Sequence, residues 1–306
     1  MHSMKKIRMV EHLVIHIVLI AVGLFFLLPF FWMLSTALKS DAQIFVNPPV
    51  WIPDPIKWDN FYRAVTAIPF FKYMGNTGTV AFMDVLGTVI ACPLVAYGLS
   101  RLEWKGRDLL FFITISVMMI PYEVTMIPQF IMFSKFNMVG TYLPLFLPAF
   151  FGGRPFMIFL LRQSFMNLPR DLEDAARIDG ASELCIYAKI VLPLVVPGIL
   201  TVGLFRFMNT WNDFLGPLLY LSDETKYTLT IGLQMFTTQY KTEWALLMAA
   251  SLLVTLPVII VYFFVQKRFI EGISFSGIKG CRSRSFPSRF RPDARYGVRF
   301  FWLRPP

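Results

Sequence analysis

The chain has 306 residues, 56% of them hydrophobic and 16% charged, with a formal net charge of +10 and a mean hydropathy of +0.58. That balance is too apolar for an ordinary water-soluble domain and points to an all-α, polytopic membrane protein. The three cysteines, Cys92, Cys185 and Cys281, stand far apart without a CxxC pair, which argues against a disulfide framework and a zinc site.

A helix that crosses a bilayer needs about 20 mostly apolar residues, because its backbone polar groups must be satisfied inside the segment. Residues 1–12 form a basic N-terminus with Lys5, Lys6 and Arg8, and the first apolar run follows at 13–36. Ser35 and Ala37 imitate a cleavage site, but the run is too long for a cleaved h-region and reads as a retained helix. His12 and His16 have the i, i+4 spacing of a metal pair without a third ligand nearby, and read as interfacial residues. The next loop mixes Lys39, Lys57, Arg63 and Lys72 with Asp41, Asp54 and Asp59.

Further spans are expected at 75–99, 109–132, 142–164, 194–219 and 245–265, which makes six. The loop at 101–108 carries Arg101, Lys105 and Arg107, and the one at 162–193 carries Arg162, Arg170, Arg177 and Lys189. The positive-inside rule places both loops, and hence both termini, in the cytoplasm, with the 132–141 loop and its lone Lys135 outside. Residues 1–150 and 151–306 show no convincing internal similarity, so a duplicated secondary transporter is not supported. A single six-helix bundle working with a second membrane subunit is the simpler organisation.

The polar stretch DLEDAARIDGASELCIYAKIVLP, residues 171–193, lies between two apolar halves. Pro169 suits a helix start, and Asp171, Glu173 and Asp174 put negative charge at the positive end of the helix dipole. Gly180 is placed to end this helix in a left-handed conformation, and Ser182 can cap the next one. The spacing predicts two short helices joined by a glycine bend, ending at Pro193 where the membrane begins. Ala175 and Ala176 make the first helix narrow on one side, so that a partner surface can approach its backbone as in helix-in-groove recognition. A merely solvated charged loop would account for the acids but not for the alanines, the glycine and the distant Leu-Pro together.

Asp174-Ala175-Ala176, three residues, Gly180, nine residues, Ile190, Val191, Leu192-Pro193 resembles the EAA loop of ABC importer permeases, with Asp in place of the usual Glu at its first letter. AARIDGAS and the preceding FLLRQSFMNLP resemble the sugar-uptake, MalG-type branch. So do AYGLSRLEWKGRDLLFF (96–112), NTWNDFLGPLLYL (209–221), YTLTIGLQMF (227–236) and FVQKRFIEGISFSGIKG (264–280), so that the resemblance covers about residues 10–280. It implies the type I importer permease fold, with six transmembrane helices in a permease domain at 13–280, and a coupling loop at 168–193 in which Glu173, Asp174, Ala175, Ala176, Asp179, Gly180, Ala181, Ile190, Leu192 and Pro193 meet the ATPase. It also implies a heterodimer with a second permease, two cytoplasmic ATPase subunits and an extracytoplasmic sugar-binding protein in a bacterial or archaeal inner membrane. The chain itself has no GxxxxGK[ST] and no Gly-Lys dipeptide, so ATP and Mg are expected on the partner ATPases and no cofactor on this chain. Membrane lipid is an expected partner and nucleic acid is not.

Asp84, Glu123, Arg154 and Arg206 fall in apolar segments, where each charge costs about 2.5 to 3.5 kcal/mol on insertion scales, so they should face the bundle interior. One reading makes Glu123 and Arg154 part of a translocation pathway or gate; the other makes such charges internal ion pairs, or residues nearer an interface than the span boundaries imply. Trp211, Asn212 and Asp213 combine an aromatic face with hydrogen-bonding groups suited to a sugar, although interfacial aromatic belts look alike, and a structural or gating role is preferred. Residues 281–306 hold seven Arg, no Lys and one acid, and begin directly after the family-like GIKG. They read as a non-family extension, with lipid contact as the other reading. Other classes remain: a secondary transporter, a permease for a non-sugar solute, and a membrane enzyme, for which no reactive constellation is visible.

Overall fold

Backbone crossing a lipid core has to pair its own N–H and C=O groups, and this chain does so with helices. The computed structural model describes residues 2–237 and 242–277, with side chains placed over 11–237 and 242–266. Among the described residues, β pairing is confined to an isolated bridge between Thr237 and Thr242. In chain order the α-helices are α1 (His2–Ala37), α2 (Asp41–Ile44), α3 (Asp59–Ala67), α4 (Phe70–Ser100), α5 (Arg107–Ser116), α6 (Tyr122–Lys135), α7 (Leu143–Phe150) and α8 (Pro155–Met166). They continue with α9 (Asp171–Ile178), α10 (Glu183–Cys185), α11 (Leu192–Leu194), α12 (Val196–Trp211), α13 (Leu215–Tyr220), α14 (Leu229–Gln234) and α15 (Trp244–Gly277).

Among the described residues, four stretches are long and apolar enough to cross a membrane: Glu11–Ala37, Phe70–Ser100, Leu143–Met166 and Trp244–Gln266. The two other expected spans are broken. Arg107–Met119 meets Tyr122–Lys135 at 101°, and Glu183–Leu194 meets Val196–Trp211 at 74°. The first break sits at Pro121, which forces Ile120 before it into an extended conformation at φ −81° and ψ 118°. At the second break, the helix widens into a π-turn over Ile186–Val191 just before Pro193, and Pro197 opens α12. Proline cannot donate to the carbonyl four residues back, and a widened turn relieves the clash of its ring. The expected 194–219 span is therefore corrected at both ends: the bent pair starts at Glu183 and closes at Trp211, with α13 as a separate short helix. The 281–306 extension and Cys281 lie outside the described residues.

α4 is the axis of the bundle, packed on α7, α8 and α12. The α7 approach depends on Gly87: a Cβ there would lie 2.6 Å from the Phe150 ring. One apolar core joins Tyr97, Leu161, Phe165, Ile186 and Val191 near the C-terminal end of α4; another joins Tyr73, Trp211, Leu229 and Ala249 near its N-terminal end. α1 lies on α15 yet leaves Leu19, Phe25 and Phe26 more than 60% exposed. Such a surface calls for lipid or a neighbouring chain to cover it.

Candidate functional site

Two sites emerge, one at each level of α4. The first is the loop after α8. Arg170 is the N-cap residue of α9, and Asp171, Glu173 and Asp174 fill its first turn. Its end is a complete Schellman closure: the Gly180 N–H donates to Arg177 O at 3.1 Å and the Ala181 N–H to Ala176 O at 2.9 Å. Gly180 carries φ +79°, as the spacing required. The Ser182 side chain then accepts from the Cys185 N–H and caps α10.

Buried contacts hold this loop to the end of α4. Arg101 follows the last turn of α4, and its Nε lies 3.3 Å from Glu173 Oε1, with both side chains almost fully buried. Its Nη2 also donates to Leu168 O at 2.7 Å and to Phe165 O. Burial pulls the Arg101 guanidinium below its ordinary pKa while Glu173 opposes the shift. It stays a cation at any working pH, since guanidinium is not deprotonated in proteins. Arg177 ties the turn together, 2.8 Å from Asp174 and 2.7 Å from Glu183, and the hydrogen bond it donates to Glu183 raises its pKa. Tyr97 of α4 donates to Glu183 at 3.1 Å.

The alanines separate. Ala176 is buried in the core of this chain while Ala175 is exposed. The expectation that both narrow one docking face is thus corrected, because neighbouring residues on a helix sit about 100° apart. The outward face consists of Leu172, Ala175, Ile178, Asp179, Gly180 and Leu184, with Ile178 88% and Leu184 73% exposed. Ala181, Ile190 and Leu192 pack partly against the inner core, and Pro193 is exposed.

The second site lies midway along α4. Asp84 is fully buried and binds three groups: Arg154 Nη2 on Oδ1 at 3.0 Å, and Arg206 Nε and Thr210 Oγ1 on Oδ2, the hydroxyl at 2.6 Å. Internal pairing is therefore what Asp84, Arg154 and Arg206 do. Glu123 departs from the expectation of an inward charge: it is exposed in the first turn of α6 and outside this cluster, although its neighbour Tyr122 lines the cavity beside it. Beside the cluster opens a cavity of about 590 Å3, lined by Arg154, Arg206, Asn209, Asp213, Tyr122 and Tyr220 among others.

Of the Trp211-Asn212-Asp213 run, Asp213 alone lines the cavity; its Oδ1 accepts from the Gly216 N–H at 3.1 Å. Trp211 is buried, donates to Val254 O at 3.0 Å and packs on Phe207. Asn212 donates back to Met208 O at 2.8 Å. His16 Nδ1 lies 2.6 Å from His12 O, and among the described residues no group of His, Cys, Asp or Glu is arranged to hold a metal. Sequence reasoning treated Arg101 only as a loop charge and missed Thr210, Asn209 and Tyr220. Arg101 had a signal in its place at a helix end, where a buried partner can be reached; the others had none.

Residues 85–274 match the model of the binding-protein-dependent transport system inner membrane component. The chain belongs to this family. Among its relatives, the arabinooligosaccharides transport system permease protein AraQ of Halalkalibacterium halodurans is 33% identical over 82% of this chain and 91% of that protein. The sulfoquinovosyl glycerol transport system permease protein SmoH of Agrobacterium fabrum is 32% identical over 86% of this chain and 91% of that one. In fold, the chain is similar to a crystal structure of a bacterial ABC transporter involved in import of the acidic polysaccharide alginate, with a TM-score of 0.71 and 25% identity over 85% of this chain and 96% of that one. The family region starts beside Asp84 in α4 and includes the whole of the 168–193 loop.

Proposed function

We propose that this chain is one of two unlike permease subunits through which an ATP-driven importer passes a carbohydrate delivered by an extracytoplasmic binding protein. Two cytoplasmic ATPase subunits bind ATP and Mg, and both termini of this chain face the cytoplasm. The observation that carries the reading is the α9 turn: an exposed apolar face at Leu172, Ala175, Ile178 and Leu184, held on a base of buried charge at Arg101 and Glu173. A face of this kind fits a groove on a partner. The relatives named for arabinooligosaccharide and sulfoquinovosyl glycerol transport support the cargo class. ATP closes the ATPase pair, the docked loops move with it, and the bundle exchanges inward-facing and outward-facing states. Coupling of this kind requires the loop to contact an element that differs between the states.

Docking is tested by Gly180→Val and Ala175→Arg. A Cβ at Gly180 meets nothing within 4 Å, so valine acts there through the backbone, whose φ of +79° it resists. Arginine at the exposed position 175 adds bulk to the outer face alone. Both variants are expected to insert and fold normally but to lose most of the co-purified ATPase or its sugar-stimulated hydrolysis. Normal ATPase recovery and uptake in both would refute the docking role. Orientation has its own test in a cysteine-free background. Cysteines at the exposed positions Asp54 and Glu224 should react with an impermeant thiol reagent in intact cells, and one at Lys105 should not. Labelling at 105 would overturn the topology.

A further inference from the structure

We propose that the cavity beside Asp84 is a subsite for an uncharged glycosyl ring of the cargo. This deepens the carbohydrate reading above and rests on it. The wall holds hydrogen-bonding capacity that the chain does not use. Tyr220 is 3% exposed, lines the cavity and has a buried hydroxyl with no partner; Arg154 Nε, on the same wall, is likewise buried without one. A buried donor left without a partner is costly, and two such donors at one cavity point to a ligand that supplies acceptors. Asp213 offers the complementary acceptor, since its Oδ1 is taken by Gly216 and its second oxygen remains.

Aromatic surface completes the set. Tyr122 lines the cavity and is 40% exposed, while the Tyr220 ring is held in place by stacking on Phe130 with ring centroids 6.0 Å apart. Donors, an acceptor and aromatic faces around about 590 Å3 match a hydroxylated ring, in a space within the ordinary range for small-molecule sites.

Charge selects within the carbohydrates. Arg154 and Arg206 are balanced by Asp213 on the wall and by the buried Asp84 behind it, so this group of four carries no formal net charge. A uronate or sulfonate ring could recruit the arginines only by drawing them from Asp84, which is fully buried and would lose its compensation. An amino sugar in its cationic form would meet two guanidinium groups. A neutral ring disturbs neither pair.

The test uses proteoliposomes containing the full complex and its binding protein, with radiolabelled arabinotriose, maltotriose, N,N′-diacetylchitobiose and trigalacturonate as probes. Uptake is expected for at least one uncharged probe and not for trigalacturonate. For the transported sugar, Tyr220→Phe and Arg154→Lys are then compared with the wild type. Phenylalanine deletes a hydroxyl that bonds to nothing in the chain, and lysine keeps the charge facing Asp84 while removing Nε. Each is expected to raise the half-saturating concentration by about 2- to 10-fold, the worth of one hydrogen bond, with the amount of assembled complex and the affinity of the isolated binding protein unchanged. A purely structural role for Tyr220 would leave half-saturation where it was, and that result overturns the subsite. Preferential uptake of trigalacturonate overturns the charge argument and leaves the carbohydrate reading standing. Uptake of no probe removes the carbohydrate reading, and the subsite with it.

Discussion

Asp84→Asn is expected to be the most damaging single substitution in the bundle. The carboxylate is fully buried and holds Arg154, Arg206 and Thr210 at once. An amide of the same size leaves two guanidinium groups without the carboxylate they bond to and places its own NH2 against donors. Removing one side of a buried pair costs roughly 3 to 5 kcal/mol, a large share of the 5 to 15 kcal/mol that holds a typical domain together. The expected result is a sharp drop in the amount of intact chain recovered from membranes and in the melting temperature of the purified complex. Arg154→Leu should cost less, because Asp84 keeps Arg206 and Thr210, and Arg154 is the more exposed of the two arginines at 25% against 14%. A melting temperature for Asp84→Asn equal to the wild type would show that the cluster does not support the fold.

Arg101→Ala is expected to release the α9 loop from α4 without unfolding the spans. Alanine strands the Glu173 carboxylate, whose remaining cation, Arg177, is 3.6 Å away, and removes the donor to Phe165 O and Leu168 O. With a buried pair broken at roughly 3 to 5 kcal/mol and tenfold for each 1.4 kcal/mol, amide hydrogen exchange across 171–181 should quicken by about 100-fold or more. Exchange in α12 should stay slow. The swapped pair Arg101→Glu with Glu173→Arg should recover part of the protection; equal exchange in wild type and Arg101→Ala would remove the clamp from the account.

What could be read in advance follows the range of the interaction involved. Apolar runs are local, so the six crossing regions were legible, and so was the left-handed Gly180, because a helix ending two residues earlier needs it. Pro121 and Pro193 were visible too, but whether a proline bends a helix by a few degrees or by 101° depends on what packs around it. The separation of Ala175 from Ala176 was available in principle, since adjacent residues point about 100° apart. Pairings across long chain separations were not: Asp84 with Arg206 spans 122 positions and Arg101 with Phe165 spans 64. Those depend on how helices are laid beside one another, and no spacing rule encodes them. Asp213 and Trp211 looked equivalent as neighbours in sequence, yet one faces a cavity and the other fastens α12 to α15 through Val254.

α4 carries Asp84 and is closed by Arg101 as its C-cap residue, about 25 Å further along at 1.5 Å per residue. Pro93 interrupts the stretch between them and is itself buried. Proline brings no N–H, so the hydrogen-bond ladder lacks a rung there and bending is easiest at that point. Mechanically, the helix is two stiff struts on a compliant joint instead of a rigid rod. A displacement of the loop clamped by Arg101 would bend the helix most easily at this joint, which lies between that clamp and the charges around Asp84.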